Sequence, residues 1–300
     1  MRILVTGGGG FLGRNLAGDL AQQGFSVVAT FRRSPPETLV ATKGLELAQC
    51  DLADGGSLPA RYDAVVHAAA TSAWAGISAD AMARDNVEAT RRLIAHARGV
   101  GAKMFLFCSS MSVYGSIIDR EVDESTPIRN PDVYGMSKLI GEAMLAEAAP
   151  ALAGMALRLP AVIGPGADRN FLAMSARRLK AGEDVAIFNP TAPFNNAVHA
   201  ADLAMFAGKL LRKGWTGYDT VVLAAAGQTT IQAAVARLRA RMASKSRICI
   251  SDAPKPAFTV RINHATARYG YGPMEILAML DRYAGEIDGW GESAQGSPGR

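Results

Sequence analysis

Apolar residues follow two alternating rhythms along this chain. Residues 2–6 (Arg-Ile-Leu-Val-Thr) form a short apolar run of strand length. From Phe11 to about Gln23, Leu12, Leu16, Ala17 and Leu20 recur at helical spacing, and Gly24 ends the run. The alternation then repeats, with strands over 27–31 and 64–68, a helix over 79–98, a strand over 104–108, a helix over 132–149 and a strand over 155–159. Strands separated by helices of this length predict an α/β fold, a doubly wound parallel sheet of Rossmann type. After Gly164-Pro165-Gly166 the rhythm loosens, with helical patterns near 170–181, 200–212, 229–242 and 273–285 and short strands near 185–188, 220–224 and 247–250. The expected organisation is a sheet domain over 1–165 and 195–226, a smaller C-terminal lobe over 166–194 and 227–288, and a flexible Gly- and Ser-rich tail over 289–300.

Between the first strand and the first helix stand Gly7, Gly10 and Gly13, spaced G-x-x-G-x-x-G. The first glycine permits a tight turn, the second a close approach of a pyrophosphate, and the third close packing of helix on strand. The helix N-terminus adds free N–H groups and positive dipole character. In this position the pattern predicts a dinucleotide site, with Phe11 and Leu12 inside it. The second strand ends at Phe31, where an NAD-preferring fold usually carries a carboxylate for the ribose 2′-hydroxyl; Arg32 follows and could pair with a 2′-phosphate. NADP is therefore expected ahead of NAD. Asp51, followed by Leu52, could reach the adenine or could be a turn residue.

Tyr134-Gly-Met-Ser-Lys138 places a phenol and an ammonium four residues apart at the start of a helix, hence on one face. A nearby cation favours the phenolate, so the expectation is a tyrosine of lowered pKa. Such a group can move a proton to or from a carbinol oxygen while hydride moves to or from nicotinamide. Ser110, just past the strand 104–108, could hydrogen-bond the same oxygen.

These residues carry a resemblance. The chain resembles the extended short-chain dehydrogenases/reductases, in the branch of nucleotide-sugar epimerases, dehydratases and 4-ketoreductases. Similar segments are Thr6 to Gly13, Val66-His67-Ala68-Ala69-Ala70, Asn86 to Thr90, Ser109 to Gly115, Leu157-Arg158-Leu159-Pro160, Gly164 to Gly166 and Val198 to Asp202. The resemblance implies Ser110, Tyr134 and Lys138 as the catalytic set, with Ala68 and Pro160 beside the cofactor. It implies a structural or proton-relay role for Asn86. Dehydratases of the branch carry an acidic pair after the catalytic serine or threonine; Met111 and Ser112 stand there instead, which argues against water elimination. The cysteine that marks the GDP-fucose-forming enzymes is likewise replaced by Ser112, a candidate substrate contact. Many sugar-nucleotide members grip the diphosphate with an arginine four residues before the histidine of the Val-His segment, and Asn195 holds that place. Lys255 or Arg261 could substitute, and Asn170 matches a position near the bound sugar nucleotide. The function so implied is hydride transfer at a sugar carbinol or ketone, as 4-ketoreductase or 4-epimerase, with a sugar nucleotide as the expected substrate. The alternative is reduction of a small carbonyl compound. A non-catalytic nucleotide sensor fits poorly, because Tyr134 and Lys138 are both present. A homodimer formed through helices 79–98 and 132–149 is also implied, with Met82, Leu93, Met144 and Leu145 as candidate contacts.

Composition narrows the partners. At 49% hydrophobic and 20% charged residues, the 300-residue chain can bury a full core. Arg237, Arg239, Arg241, Lys245 and Arg247 cluster, but without the broad stripe and interleaved aromatics of a nucleic-acid surface, so they read as a solvated helix face. Cys50, Cys108 and Cys249 have neither zinc spacing nor an even count, and Cys108 reads as a buried strand residue. No metal site is expected. His67 reads as a packing residue near the cofactor, His199 as a residue near the lobe hinge, and His96 and His264 as surface positions. A strand begins at once with no signal peptide before it, and no apolar run is long enough to cross a bilayer, so a cytoplasmic enzyme without membrane partners is expected.

Overall fold

The computed structural model describes residues 1–35, 39–72, 76–251 and 257–288. The candidate contact Lys255 and the tail 289–300 lie outside the described residues.

Seven parallel strands form the central sheet. They are β1 (Arg2–Thr6), β2 (Ser26–Phe31), β3 (Leu45–Gln49), β4 (Ala64–His67), β5 (Met104–Ser110), β7 (Ala153–Leu159) and β12 (Tyr218–Val222), in the spatial order β12-β7-β5-β4-β1-β2-β3. The two-residue strand β6 (Glu121–Val122) lies between β5 and β7 in sequence and pairs with β15 (Thr259–Val260). The sheet is doubly wound because successive strands step outward in both directions from β1 and β4. The inner strands are buried on both faces, and the alternation of their side chains sorts them cleanly. Ile3, Val5, Val27, Ala29, Met104, Leu106, Met155 and Leu157 join one core, while Leu4, Val28, Val65, Phe105, Phe107 and Ala156 join the other.

Helices α1 (Phe11–Gln22) and α6 (Ala200–Lys213) cover the first face through Leu16, Leu20, Leu203 and Leu210. The second is covered by α3 (Ala89–Gly99) and α4 (Val133–Ala148) through Leu93, Ile94 and Leu145. The helix expected over 79–98 is not uniform: α2 (Ala79–Met82) runs through a π-helical segment, Ala83–Glu88, into α3. The sequence reading passed over β3, and also α8 (Asn263–Tyr269), whose Ala265 and Tyr269 pack in the main core rather than with the lobe.

A third core joins α5 (Phe171–Lys180), α7 (Ile231–Arg241) and α9 (Ile276–Asp288). Short strands edge this part: β9 (Val185–Ile187) pairs with β14 (Ile248–Ile250), and β10 (Pro193–Phe194) with β13 (Thr229–Thr230). Two more, β8 (Ala161–Ile163) and β11 (Ala197–His199), pair with each other beside the sheet. His199 ties the start of α6 to α9: its Nδ1 accepts from Ala201 N, and its Nε2 lies 2.9 Å from Glu286. Among the described residues, no helix is long and apolar enough to cross a membrane.

Two expectations change here. Met82, Leu93 and Leu145 are buried within the chain, the two leucines against its own sheet, and cannot serve as intersubunit contacts; the exposed large apolar residues of α4 are Val133, Met136 and Ile140. His96 and His264 are half-buried, bonded to Tyr62 and Asp219. In the basic cluster, Arg237 and Arg241 pair with Asp281 and Arg247 pairs with Asp184, as members of an exposed face.

Candidate active site

The carboxyl ends of β1, β4, β5 and β7 open onto one cleft, at the point where strand order reverses. Gly7 turns the chain out of β1 with φ +78°, and a side chain there would collide with the backbone of Ala69. A side chain on Gly13 would collide with the Gly7 carbonyl, so α1 sits against β1 only because both are glycine. Gly10 opens α1 with no side-chain cap and no acidic residue in the first turn. By contrast α4, α5, α6 and α7 are capped by Asp132, Asn170, His199 and Thr230. Uncapped N–H groups at a glycine turn are what a pyrophosphate requires, so the residues present fit a dinucleotide.

The cleft has two ends. One, of about 340 Å³, is lined by Thr30, Phe31, Arg32, Asp51, Leu52, Ala68 and Asp85, among others. It suits the adenosine half. Asp51 lines this space and also closes a turn through Ala53 N. Arg32 is not the unpaired cation the sequence implied, because its guanidinium lies 2.8 Å from Asp85. The other end is lined by Phe11, Leu12, Arg14, Ser110, Tyr134, Lys138, Pro160, Arg169 and Asn170, among others.

Ser110, Tyr134 and Lys138 meet at this second end. Ser110 closes β5 and its hydroxyl donates to Ser112 Oγ at 3.1 Å. Burial pushes the Tyr134 phenol's pKa up to about 12, against a smaller lowering by the Ser110 hydroxyl. The expected lowering is therefore reversed in sign. Lys138 explains why: its Nζ donates to the Cys108 carbonyl at 2.9 Å and lies 5.9 Å from the Tyr134 ring centre, over the face of Phe107. Burial lowers Lys138 itself to about 8. The start of α4 is set by Asp132, which accepts from Gly135 N at 2.7 Å, and by Gly135, where a side chain would strike the Ser112 carbonyl.

Asn86 fastens this assembly. Its amide exchanges two hydrogen bonds with the Thr71 backbone, at 2.8 and 2.9 Å, and donates to Ser137 Oγ at 2.9 Å. It thus joins the loop after β4 to the helix bearing Tyr134. His67 is a packing residue, as expected. Thr90 donates to the Asn86 carbonyl, so His67 Nε2 must donate to Thr90, and its Nδ1 accepts from Thr6. Burial holds its pKa down at about 3, so it stays neutral.

Two candidate substrate contacts are otherwise engaged. Asn195 is buried, and its amide makes two 2.8 Å bonds to the backbone of Val260 in β15. It clasps that strand with its oxygen and one of its two N–H donors, and it is buried away from the residues that line the cleft. Ser112 lies behind Ser110 and points to it. Asn170 does line the cleft, with its side chain shared between the Val162 carbonyl and Ala173 N.

Sequence reasoning missed Asp85, Arg14, Arg169 and a buried pair below the site, Glu142 with Arg158. That pair is joined at 2.7 Å, and Ser109 Oγ donates to Glu142 at 2.5 Å. One signal was available, since Glu142 falls four residues after Lys138 and Arg158 interrupts the apolar run 155–159.

The family described as "NAD dependent epimerase/dehydratase family" matches residues 3–224. D-erythronate dehydrogenase of Cupriavidus necator is 34% identical over 55% of this chain and 57% of its own length. 2-Alkyl-3-oxoalkanoate reductase of Stenotrophomonas maltophilia is 34% identical over 61% of this chain and 57% of its own. The matched region thus spans little more than half of either relative. In fold, UDP-glucuronic acid 4-epimerase from Bacillus cereus, solved with NAD, superposes with a TM-score of 0.82 over 97% of this chain and 100% of that one, at 19% identity. With the glycine loop, the doubly wound sheet and the family match in agreement, the chain belongs to the NAD dependent epimerase/dehydratase family.

Proposed function

We propose that the protein is a nicotinamide-dependent reductase or dehydrogenase that interconverts a ketone and a carbinol on a small hydroxylated substrate. One observation carries this reading: Tyr134 and Ser110 line the same cleft as the glycine loop, with Lys138 one turn along the helix from Tyr134. Bound nicotinamide would supply or take the hydride. The chain's own residues handle the oxygen. Ser110 orients it, Tyr134 gives it a proton or takes one, and Lys138 holds positive charge nearby. A phenol pushed up to about 12 stays protonated at neutral pH, which suits an acid that protonates a carbonyl oxygen as hydride arrives.

The substrate reading rests on Asn195. Its amide is buried and bonded to the Val260 backbone, and it brings no charge, so we read the place of a diphosphate-gripping arginine as structural here. The names of the two relatives above are those of enzymes acting on D-erythronate and on a 2-alkyl-3-oxoalkanoate, carboxylates named without a nucleotide. A second reading, a 4-ketoreductase or 4-epimerase of a sugar nucleotide, is favoured by two arginines on the cleft wall, Arg14 and Arg169. It is also favoured by the 32% identity to UDP-glucose 4-epimerase of Erwinia amylovora over 53% of this chain and 52% of its length.

The test is a panel of hydroxy acids, keto acids and sugar nucleotides, each scored by nicotinamide absorbance with NAD and NADP. Turnover of small acids with exchanging cofactor is the expected result. Turnover of sugar nucleotides alone, with NAD retained through purification, would replace this reading with that of an epimerase.

A further inference from the structure

We propose that Asp85 is the residue that sets the choice between NAD and NADP, by neutralising Arg32 and by facing the adenosine ribose with a carboxylate. The inference rests on the reading above, in which this end of the cleft holds the adenosine half. The end of β2, where a carboxylate usually meets the ribose 2′-hydroxyl, offers only Phe31. A carboxylate nevertheless lines the same space, carried there on the π-helical segment between α2 and α3.

Asp85 is anchored by three groups. Arg32 reaches its Oδ2 at 2.8 Å, the Thr71 hydroxyl donates to the same oxygen at 2.8 Å, and Arg84 lies 3.0 Å from Oδ1. Its side chain is 11% exposed while that of Arg32 is 41% exposed, so the carboxylate is the fixed partner and the guanidinium the movable one. These bonds hold Asp85 ionised, below the usual carboxylate range against the opposing effect of burial.

A 2′-phosphate entering this space meets one of two unfavourable arrangements. If Arg32 keeps Asp85, the phosphate finds the cation already neutralised. If Arg32 turns to the phosphate, Asp85 remains ionised beside it on Thr71 and Arg84, as a like charge. A ribose 2′-hydroxyl has neither difficulty, because it can donate to a carboxylate. An arginine after β2 therefore does not by itself make this an NADP site. The anion opposite decides what the arginine is worth.

The experiment measures Kd for NAD and for NADP, by calorimetry, on the wild-type chain, Asp85→Asn, Arg32→Ala and the double variant. Asp85→Asn keeps the size of the side chain and removes its charge. The ratio Kd(NADP)/Kd(NAD) is expected to fall about tenfold, the change that follows when about 1.4 kcal/mol of repulsion is removed. The gain is expected to vanish in the double variant, since it works through Arg32. If Asp85→Asn fails to fold, Asp85→Ser, which leaves Thr71 a hydrogen-bonding partner, is expected to move the ratio in the same direction. A ratio within twofold of wild type in Asp85→Asn, with Arg32→Ala still weakening NADP, would overturn the role of Asp85. If neither substitution alters either cofactor, the placement of the adenosine half is itself wrong.

Discussion

His67 lies against Phe105 and Phe107, between two hydroxyls whose own hydrogen bonds fix its tautomer. It has no room for a second proton, and its folded pKa of about 3 lies below the ordinary 6.5. Below pH 6.5 the unfolded chain therefore binds a proton that the folded chain refuses, and stability falls with acidification at up to about 1.4 kcal/mol per pH unit until about pH 3. His67→Gln should flatten the fall of Tm over that window, relative to wild type; equal slopes would mean that His67 is not the group responsible. Lys138 titrates on the other side of neutrality, at about 8 against an ordinary 10.5. As pH rises through about 8 its positive charge is lost from the site, so kcat/KM should decline there. Lys138→Arg should move the decline upward, since a guanidinium stays charged. A wild-type profile flat to about pH 10 would contradict this role. That Ser110, Tyr134 and Lys138 would share one cleft was legible because short local spacing sets them at a strand end and on one helix face. The sign of the Tyr134 shift was not, because it depends on where burial puts the ring and where Lys138 finds its carbonyl partner.

Among the elements, α4 carries both Tyr134 and Lys138, and its placement depends on a neighbour. Asn86, in the π-helical segment, bonds both the loop after β4 and Ser137 of α4. Asn86→Ala leaves these buried groups unpaired and should cost about 1–3 kcal/mol. Denaturant titration should show a lower midpoint at unchanged slope, and an unchanged midpoint would remove the clamp from the account. The helices and strands of the first half were legible from periodicity, because amphipathic α1 and α4 and the doubly buried β1 and β5 differ plainly in rhythm. The strand β3 was missed because Leu45–Gln49 alternates weakly at a sheet edge, and α8 because seven residues give too few turns to establish a period. No local pattern could reveal the Asn195–Val260 or Arg32–Asp85 bonds, whose partners lie 65 and 53 residues apart.

At the scale of the whole molecule, α4 leaves Val133, Met136 and Ile140 exposed on a helix whose opposite face is buried. Such a stripe is suited to an isologous contact between two copies, and a C2 dimer is the assembly we expect. Light scattering should report a dimer for the wild type and a monomer for Met136→Glu combined with Ile140→Glu. A wild-type monomer at micromolar concentration would contradict it. The contact residues expected for a homodimer were not legible: spacing alone cannot tell which face of a helix meets the sheet, and Leu93 and Leu145 turn inward. The central claim is that the cleft joining the glycine loop to Ser110, Tyr134 and Lys138 moves hydride, with Tyr134 as its proton donor. Tyr134→Phe tests it most directly, because it removes only the phenolic oxygen. With the substrate identified by the panel, single-turnover nicotinamide absorbance should slow by about 10²–10⁴-fold while cofactor Kd stays unchanged; a rate within about twofold of wild type would contradict it.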